Sequence, residues 1–466
     1  MEVVLKVLLR NRKIVILISI AAAVKTLLLI VVAPFASTTA PDESGYASLV
    51  SSMSVKSIPE LIFGQTPTNF RAGFSFYFPS IIFHKLGITP LLSIRIFSSL
   101  MALLCLYIFF RLSQTLLNRN GTSRQVNKAS AICTVIYCFI PSHFFWSTIG
   151  LRESTVEFWI LFTFFLTDKL FNSTKVSLHL LTGILVSIVC VFSARPQVAL
   201  ILVLTLVLIS AAKIRLKTSK AMLLVSLIGL MLGQSVTSED FRTQSKQTFT
   251  VISESPANST TVNTAVSRCS FNGQMVEAVG IDFQCIKQVD KNSLTGIKNS
   301  GKEIADQAAS IPQHHKLNQV GAESAIRTIE CPDKGTSNAS RLLCFTWRAP
   351  YTTYTFLFRP ILGPDVTSTS SLFAAVENVF WLGAFLFVAV MLIRNRRLAF
   401  FKALAPSLLF FSIYSVAAGA YEGNMGTAFR HKSLILWVVI LLVASTIVAT
   451  QQRKAEREGI SGTSQE

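Results

Sequence analysis

The feature that most constrains this chain is a set of long, nearly uncharged apolar runs, such as KIVILISIAAAVKTLLLIVV near the start. A run of about 20 apolar residues matches the ~30 Å hydrocarbon core of a bilayer when helical, and a helix is the only single-segment structure that satisfies its own backbone there. Ten such stretches occur, near 14–33, 92–113, 130–148, 154–171, 179–194, 197–212, 221–237, 371–393, 401–419 and 433–450. Apolar residues make up 51% of the chain against 14% charged, which excludes a disordered chain and a string of water-soluble domains. The expected fold is therefore an all-α polytopic membrane protein of about 10 transmembrane helices, with external surface helices and one long disulfide-containing external loop.

The net charge of +19 raises the possibility of nucleic-acid binding, and its distribution answers it. With a cytoplasmic N-terminus, the inner segments hold 20 basic and five acidic residues, whereas the long external segment 238–370 holds 13 basic and 12 acidic. The surplus is what the positive-inside rule asks of cytoplasmic loops, so nucleic acid is not an expected partner. The first apolar run also follows basic residues, as a signal peptide does. Its length and the lack of a small-residue cleavage site favour an uncleaved anchor.

Three parts follow from this topology: a transmembrane module over 1–237 with a reactive first external loop at 34–90, the long external loop 238–370, and a three-span region over 371–466 ending in a short basic tail. Leu49, Val50, Met53 and Val55 form a loosely amphipathic pattern broken at Pro59, expected as a helix on the membrane surface, and FSFYFPSIIFHKLG is expected as another. Cys105, Cys133, Cys138 and Cys190 fall within apolar spans. Cys269, Cys285, Cys331 and Cys344 share the external loop, where two disulfides in one of three pairings are expected; a zinc site is the rival, although no CxxC pair occurs.

Several polar residues fall where charge is costly unless it is used. Asp42 and Glu43 lie within about ten residues of the outer end of the first span, with Tyr46 one turn on. A carboxylate at the membrane surface suits general-base work on an acceptor hydroxyl or amine. The alternative is a helix N-terminus, with Asp42 or Ser44 as the cap and Glu43 favoured by the dipole. Arg152 and Glu153 share a very short external turn, as an ion pair that ends a span or as a functional pair. Arg195, Arg359, and Arg430 with His431 also come to the outer side, and Arg71 lies in the first external loop; each is a candidate ligand for a lipid phosphate or an interfacial anchor. Glu377 lies just inside the eighth stretch and needs a basic partner. Lys25 is mid-span, where it either pairs with Glu377 or faces the bundle interior.

Taken together, Pro41-Asp42-Glu43-Ser44-Gly45-Tyr46 after the first span, the run FYFPSIIFHKLGITPLLSIRIFSSLMALL with Pro79, Gly87 and Arg95, and PSHFFWSTIGLRES before the fourth span resemble the GT-C superfamily of integral-membrane glycosyltransferases, especially its protein-mannosyltransferase and aminoarabinose-transferase branch. The resemblance covers roughly 1–240 in pattern and the rest in topology. It implies the fold of that superfamily, a polyprenyl-phosphate sugar donor, a lipid, glycan or protein acceptor, and inversion at the anomeric carbon. It also implies Asp42 as general base with Glu43 orienting it, and an active site on the external face. The span count and charge distribution put both termini in the cytoplasm, and the lack of a eukaryotic retention signal at the chain's end favours a plasma (inner) membrane. Arg152 then becomes a phosphate ligand, and Glu153 could hold a divalent metal as acidic residues of that loop do in some relatives; no DxD-type pair is present, and no cofactor is otherwise expected. Two other functions compete. A polymerase or ligase acting on polyprenyl-diphosphate glycans would depend on loop residues such as His314, Arg341, Arg348 or Arg359. A transporter would show two matching halves, and no such repeat is evident.

Overall fold

The computed structural model describes residues 12–32, 41–63, 70, 73–118, 122–173, 175–213, 217–236, 267–271, 274–278, 338–363, 365–366, 369–395, 401–421 and 425–457. The elements run in the order α1 (Arg12–Val32), α2 (Pro41–Met53), α3 (Ile58–Phe63), α4 (Phe74–Lys85), α5 (Pro90–Leu117), α6 (Ser123–Phe139), α7 (Pro141–Trp146), α8 (Glu153–Asn172), α9 (Leu178–Ala194), α10 (Pro196–Ala212) and α11 (Lys217–Val236). A two-stranded antiparallel pair follows, β1 (Ser267–Phe271) and β2 (Gln274–Ala278), in register Cys269 opposite Val276. The chain then forms α12 (Asn338–Phe358), α13 (Thr369–Asn395), α14 (Phe401–Tyr421) and α15 (Met425–Arg457).

Each of the ten apolar stretches falls on a helix. Among the described residues four helices are long and apolar enough to cross a membrane, over Pro90–Leu117, Ser371–Arg394, Lys402–Ala420 and Thr427–Arg453, and Ile16–Leu28, Leu178–Ala194 and Pro196–Ala212 are shorter apolar helices. The chain is thus a helical membrane protein. The stretch expected as one span at 130–148 is two helices, because Pro141 has no N–H to continue the ladder and holds Ile140 out of the helical region, at φ −59°, ψ 125°. The two stretches expected as surface helices are helical, as α2 and α4, with the short α3 between them. Pro59 opens α3 rather than only ending α2. Glu60 Oε2 accepts from Ser57 N (2.8 Å) and Oγ (3.0 Å) in a capping box, and these bonds hold the Glu60 carboxyl below its usual range.

In a bilayer, helices associate through close packing more than through water exclusion. The central α8 lies against α5 and α9, and Phe164 on it meets Phe410 and Trp437 at 5.5 Å. Small residues let α11 approach α9: Gly229 and Gly233, four apart, face Ile188 and Phe192 so closely that a Cβ on either would collide. The four cysteines of the spans, Cys105, Cys133, Cys138 and Cys190, are free. Cys344 lies on α12, while Cys285 and Cys331, the Cys269 side chain and the expected pairing lie outside the described residues.

The spans carry buried polar contacts. Lys25, 1% exposed, donates to Phe144 O (3.3 Å) and to Ser147 Oγ at the C-terminal end of α7. Glu377 accepts from Ser142 N (2.8 Å) and Oγ (2.7 Å) at the other end, and from Trp381 Nε1 (3.0 Å). The ammonium and the carboxylate therefore complement opposite poles of one six-residue helix instead of pairing with each other. Between them His143 Nδ1 lies 2.9 Å from Glu157 Oε2, and Tyr137 donates to Glu157 Oε1 at 2.6 Å. Lys432 is held by the carbonyls of Leu357 (3.3 Å) and Arg359 (2.9 Å) and by Asn378 Oδ1 (2.8 Å). Held from three sides, α7 is a fixed platform for the turn that follows it.

Candidate functional site

Pro41 sets the first turn of α2, where its missing N–H costs nothing, and the two acids behind it sit in the favourable field of the helix N-terminus. Neighbouring positions on a helix point about 100° apart, so one acid faces in and the other out. Glu43 is 1% exposed and Asp42 about half exposed.

Glu43 is locked. Its Oε1 accepts from Arg95 Nε at 2.6 Å and from the Gly150 N–H at 2.7 Å, and its Oε2 accepts from Arg95 Nη2 at 3.0 Å. Glycine at 150 allows this close approach: a Cβ there would stand 2.5 Å from Ile94 Cγ1 and 2.9 Å from Glu43 Oε1, and one of the two would have to shift. This one carboxylate ties α2 to α5 and to the turn before α8.

Asp42 looks outward and meets Arg430 Nη1 at 3.2 Å, while the Arg430 guanidinium lies 5.8 Å from the centre of the Trp146 ring. One turn after Asp42, the Tyr46 ring packs edge-on against Phe76 (5.7 Å) and Tyr77 (5.8 Å) and carries the Arg152 guanidinium 5.2 Å from its centre. Arg152 Nε is buried with no hydrogen-bond partner among the described residues. Burial pushes the Tyr77 hydroxyl above its ordinary range, with Arg152 and Arg195 opposing it.

Glu153 opens α8 at 4% exposure and accepts from Arg195 Nη2 at 2.8 Å. Arg195, Arg430, His431 and Arg152 all act electrostatically on this carboxylate. Residues from the first turn of α2, the α7–α8 turn, the α9–α10 junction and the start of α15 therefore share one site. Its three arginines face two carboxylates, leaving a surplus positive charge beside an exposed acid.

Of the expected site residues, the structure brings Asp42, Tyr46, Arg152, Glu153, Arg195, Arg430 and His431 together, with Glu43 beneath them. Arg359 is engaged elsewhere. It pairs through both Nε (2.8 Å) and Nη2 with Asp365, whose Oδ2 also accepts from Ile361 N at 2.8 Å. The hydrogen bonds from Arg359 hold the Asp365 carboxyl below its usual range, and the same bonds raise the guanidinium. Arg71 and His314 lie outside the described residues. The surroundings of Glu153 do not fit a divalent cation: its partners are cationic, and no group of three His, Cys, Asp or Glu side chains is gathered among the described residues.

The sequence reading names Arg95 only as part of the second-span pattern, not as a partner of Glu43, and passes over the other partners that build the site. Arg95 and Gly150 fix Glu43, Tyr77 backs Tyr46, and Glu157 with His143 steadies α7. Glu157 carries the clearest signal, a carboxylate inside the apolar run EFWILFTFF that demands a partner. Compared with known proteins, the chain matches no family model, no curated protein and no solved structure.

Proposed function

We propose that this protein is an integral-membrane glycosyltransferase that moves a sugar from a polyprenyl-phosphate donor to an acceptor on the external face, with inversion. The observation that carries this reading is the pairing of a half-exposed Asp42 with a crowd of arginines on one anchored surface. Asp42 takes the proton from an acceptor hydroxyl or amine as that atom bonds to the anomeric carbon. The bond from that carbon to the phosphate oxygen breaks, and the polyprenyl phosphate leaves with the electron pair. Arg152, Arg195 and Arg430 stabilise the charge on the leaving phosphate, Arg152 with an Nε–H that has no hydrogen-bond partner among the described residues. Glu43 positions Asp42 by fixing its helix turn, through Arg95 and Gly150. The acceptor is a lipid, glycan or protein, and the site faces outward from a plasma (inner) membrane with both termini cytoplasmic.

The test is turnover of polyprenyl-phosphate and polyprenyl-diphosphate sugars by the protein in nanodiscs, wild type against Asp42→Asn. Release of polyprenyl phosphate from a monosaccharide donor, falling by about 100-fold or more in the variant as expected on losing a positioned base, supports the reading. Consumption of diphosphate-linked oligosaccharides alone, with Asp42→Asn indifferent, replaces it with a polymerase or ligase.

A further inference from the structure

A groove lies on the outside of the bundle between α6, α13 and α15, away from the acidic and arginine site. Its volume is about 650 Å³. Small residues, Ala129, Gly383, Ala384 and Ala444, are part of its lining, and a Cβ at Gly383 would meet nothing within 4 Å. The walls are apolar and open, with Ile132, Phe380 and Phe387 49%, 59% and 38% exposed. One end differs in character: Arg124 and Lys128 from the start of α6 line it with the amides of Gln125 and Gln451, and among the described residues no acidic side chain lines the groove.

Gln451 lies 21 residues after Arg430 on the continuous helix α15. At 1.5 Å per residue that is roughly 30 Å, the thickness of a hydrocarbon core. The cationic end of the groove therefore lies one membrane thickness from Asp42, at the opposite surface. An apolar slot running from a pair of cations toward the membrane interior has the shape and charge of a bound lipid, with a phosphate at one end and a hydrocarbon chain along the other.

The geometry points to a binding site for one anionic glycerophospholipid in the leaflet opposite the Asp42 site, its phosphate on Arg124 and Lys128 and an acyl chain along the α6–α13–α15 slot. Its inner wall is Trp381, 2% exposed, whose indole N–H is given to Glu377, the carboxylate that holds the N-terminal end of α7. A lipid chain in the slot packs against the side chain that steadies the platform beneath the opposite surface. The site is independent of the glycosyl-transfer reading, since it rests on other residues at the other face.

The test uses delipidated full-length protein in detergent, titrated with phosphatidylglycerol or phosphatidylcholine, with bound lipid counted by native mass spectrometry. Wild type should take up a first phosphatidylglycerol in preference to phosphatidylcholine. Arg124→Gln/Lys128→Gln should weaken that first phosphatidylglycerol by roughly 25-fold, the worth of two cations near a membrane surface, and leave phosphatidylcholine unchanged. Gly383→Leu, which adds a large side chain to the lining at a position where a Cβ meets nothing within 4 Å, should weaken both lipids. Equal uptake of the two lipids by wild type, a preference surviving in the double variant, or binding indifferent to Gly383→Leu would each overturn the site. Helix content by circular dichroism is expected to stay at the wild-type level in all three proteins, because positions 124 and 128 are exposed and position 383 has open space.

Discussion

The Glu43–Arg95 pair gives a prediction in which removing more of the protein costs less stability. Glu43 and Arg95 are 1% and 3% exposed, and they meet through two short hydrogen bonds, with the Gly150 N–H as a third donor to Glu43. Glu43→Gln keeps the shape, and the new amide oxygen still serves Gly150. It leaves the Arg95 guanidinium buried without a counter-charge, and its amide N–H₂ turns a donor toward a donor. Removing one partner of a buried pair costs about 3–5 kcal/mol. The double variant Glu43→Leu/Arg95→Met buries no charge. It loses only the acceptor of the Gly150 N–H, about 1–3 kcal/mol, and should be more stable than Glu43→Gln alone. Unfolding in mixed sodium dodecyl sulfate micelles, followed by circular dichroism, measures both. The reasoning is refuted if the double variant is the less stable, or if Glu43→Gln lies within about 1 kcal/mol of wild type. Because Glu43 ties α2 to the α7–α8 turn, turnover should fall in both variants, even though neither change removes a group assigned to the reacting atoms.

Gly150→Ala should cost about 1–3 kcal/mol, because the added methyl must displace Ile94 or the Glu43 carboxylate; the same unfolding titration checks it, and a neutral result would mean the turn gives way. Lys25→Met and Glu377→Gln should destabilise additively to within about 0.5 kcal/mol, since each serves a different end of α7; a double variant much less costly than the sum would restore them as direct partners. The Asp365 carboxyl is held down by Arg359, so it is deprotonated more readily folded than unfolded, and its contribution is present above the ordinary carboxylate range and lost as pH falls through its lowered folded value. The melting temperature of wild type minus Asp365→Asn should accordingly be positive near pH 7 and shrink as pH falls below the ordinary carboxylate range and through the lowered folded value; a difference that does not change with pH would assign the clamp a purely steric role.

Much of the secondary structure was legible because membrane-helix signals are local. A run's length, its apolarity and its flanking charges lie on adjacent residues, which placed a helix on each of ten stretches, and the Pro79-containing α4 was read the same way. The break inside 130–148 was also local, carried by Pro141, but a window of average hydropathy smooths over one residue. Part of the site was legible for a similar reason: Asp42, Arg152, Glu153, Arg195 and Arg430 are charges in short turns between apolar runs, where charge is conspicuous.

The sequence by itself determined that this chain is a helical membrane protein, that it carries an acidic first turn after its first apolar run, and that cations recur at its turns. Only the tertiary structure decided which charges meet. It turned Glu43 inward and Asp42 outward, matched Glu43 to Arg95 and Gly150 across 52 and 107 residues, and matched Asp42 to Arg430 across 388. It also sent Lys25 and Glu377 to opposite ends of one short helix and withdrew Arg359 to Asp365. Charges buried at membrane depth are too costly to leave alone, so the sequence demands that each find a partner. Which partner it finds depends on how the helices pack and face one another, and that arrangement leaves no mark on the residues beside it.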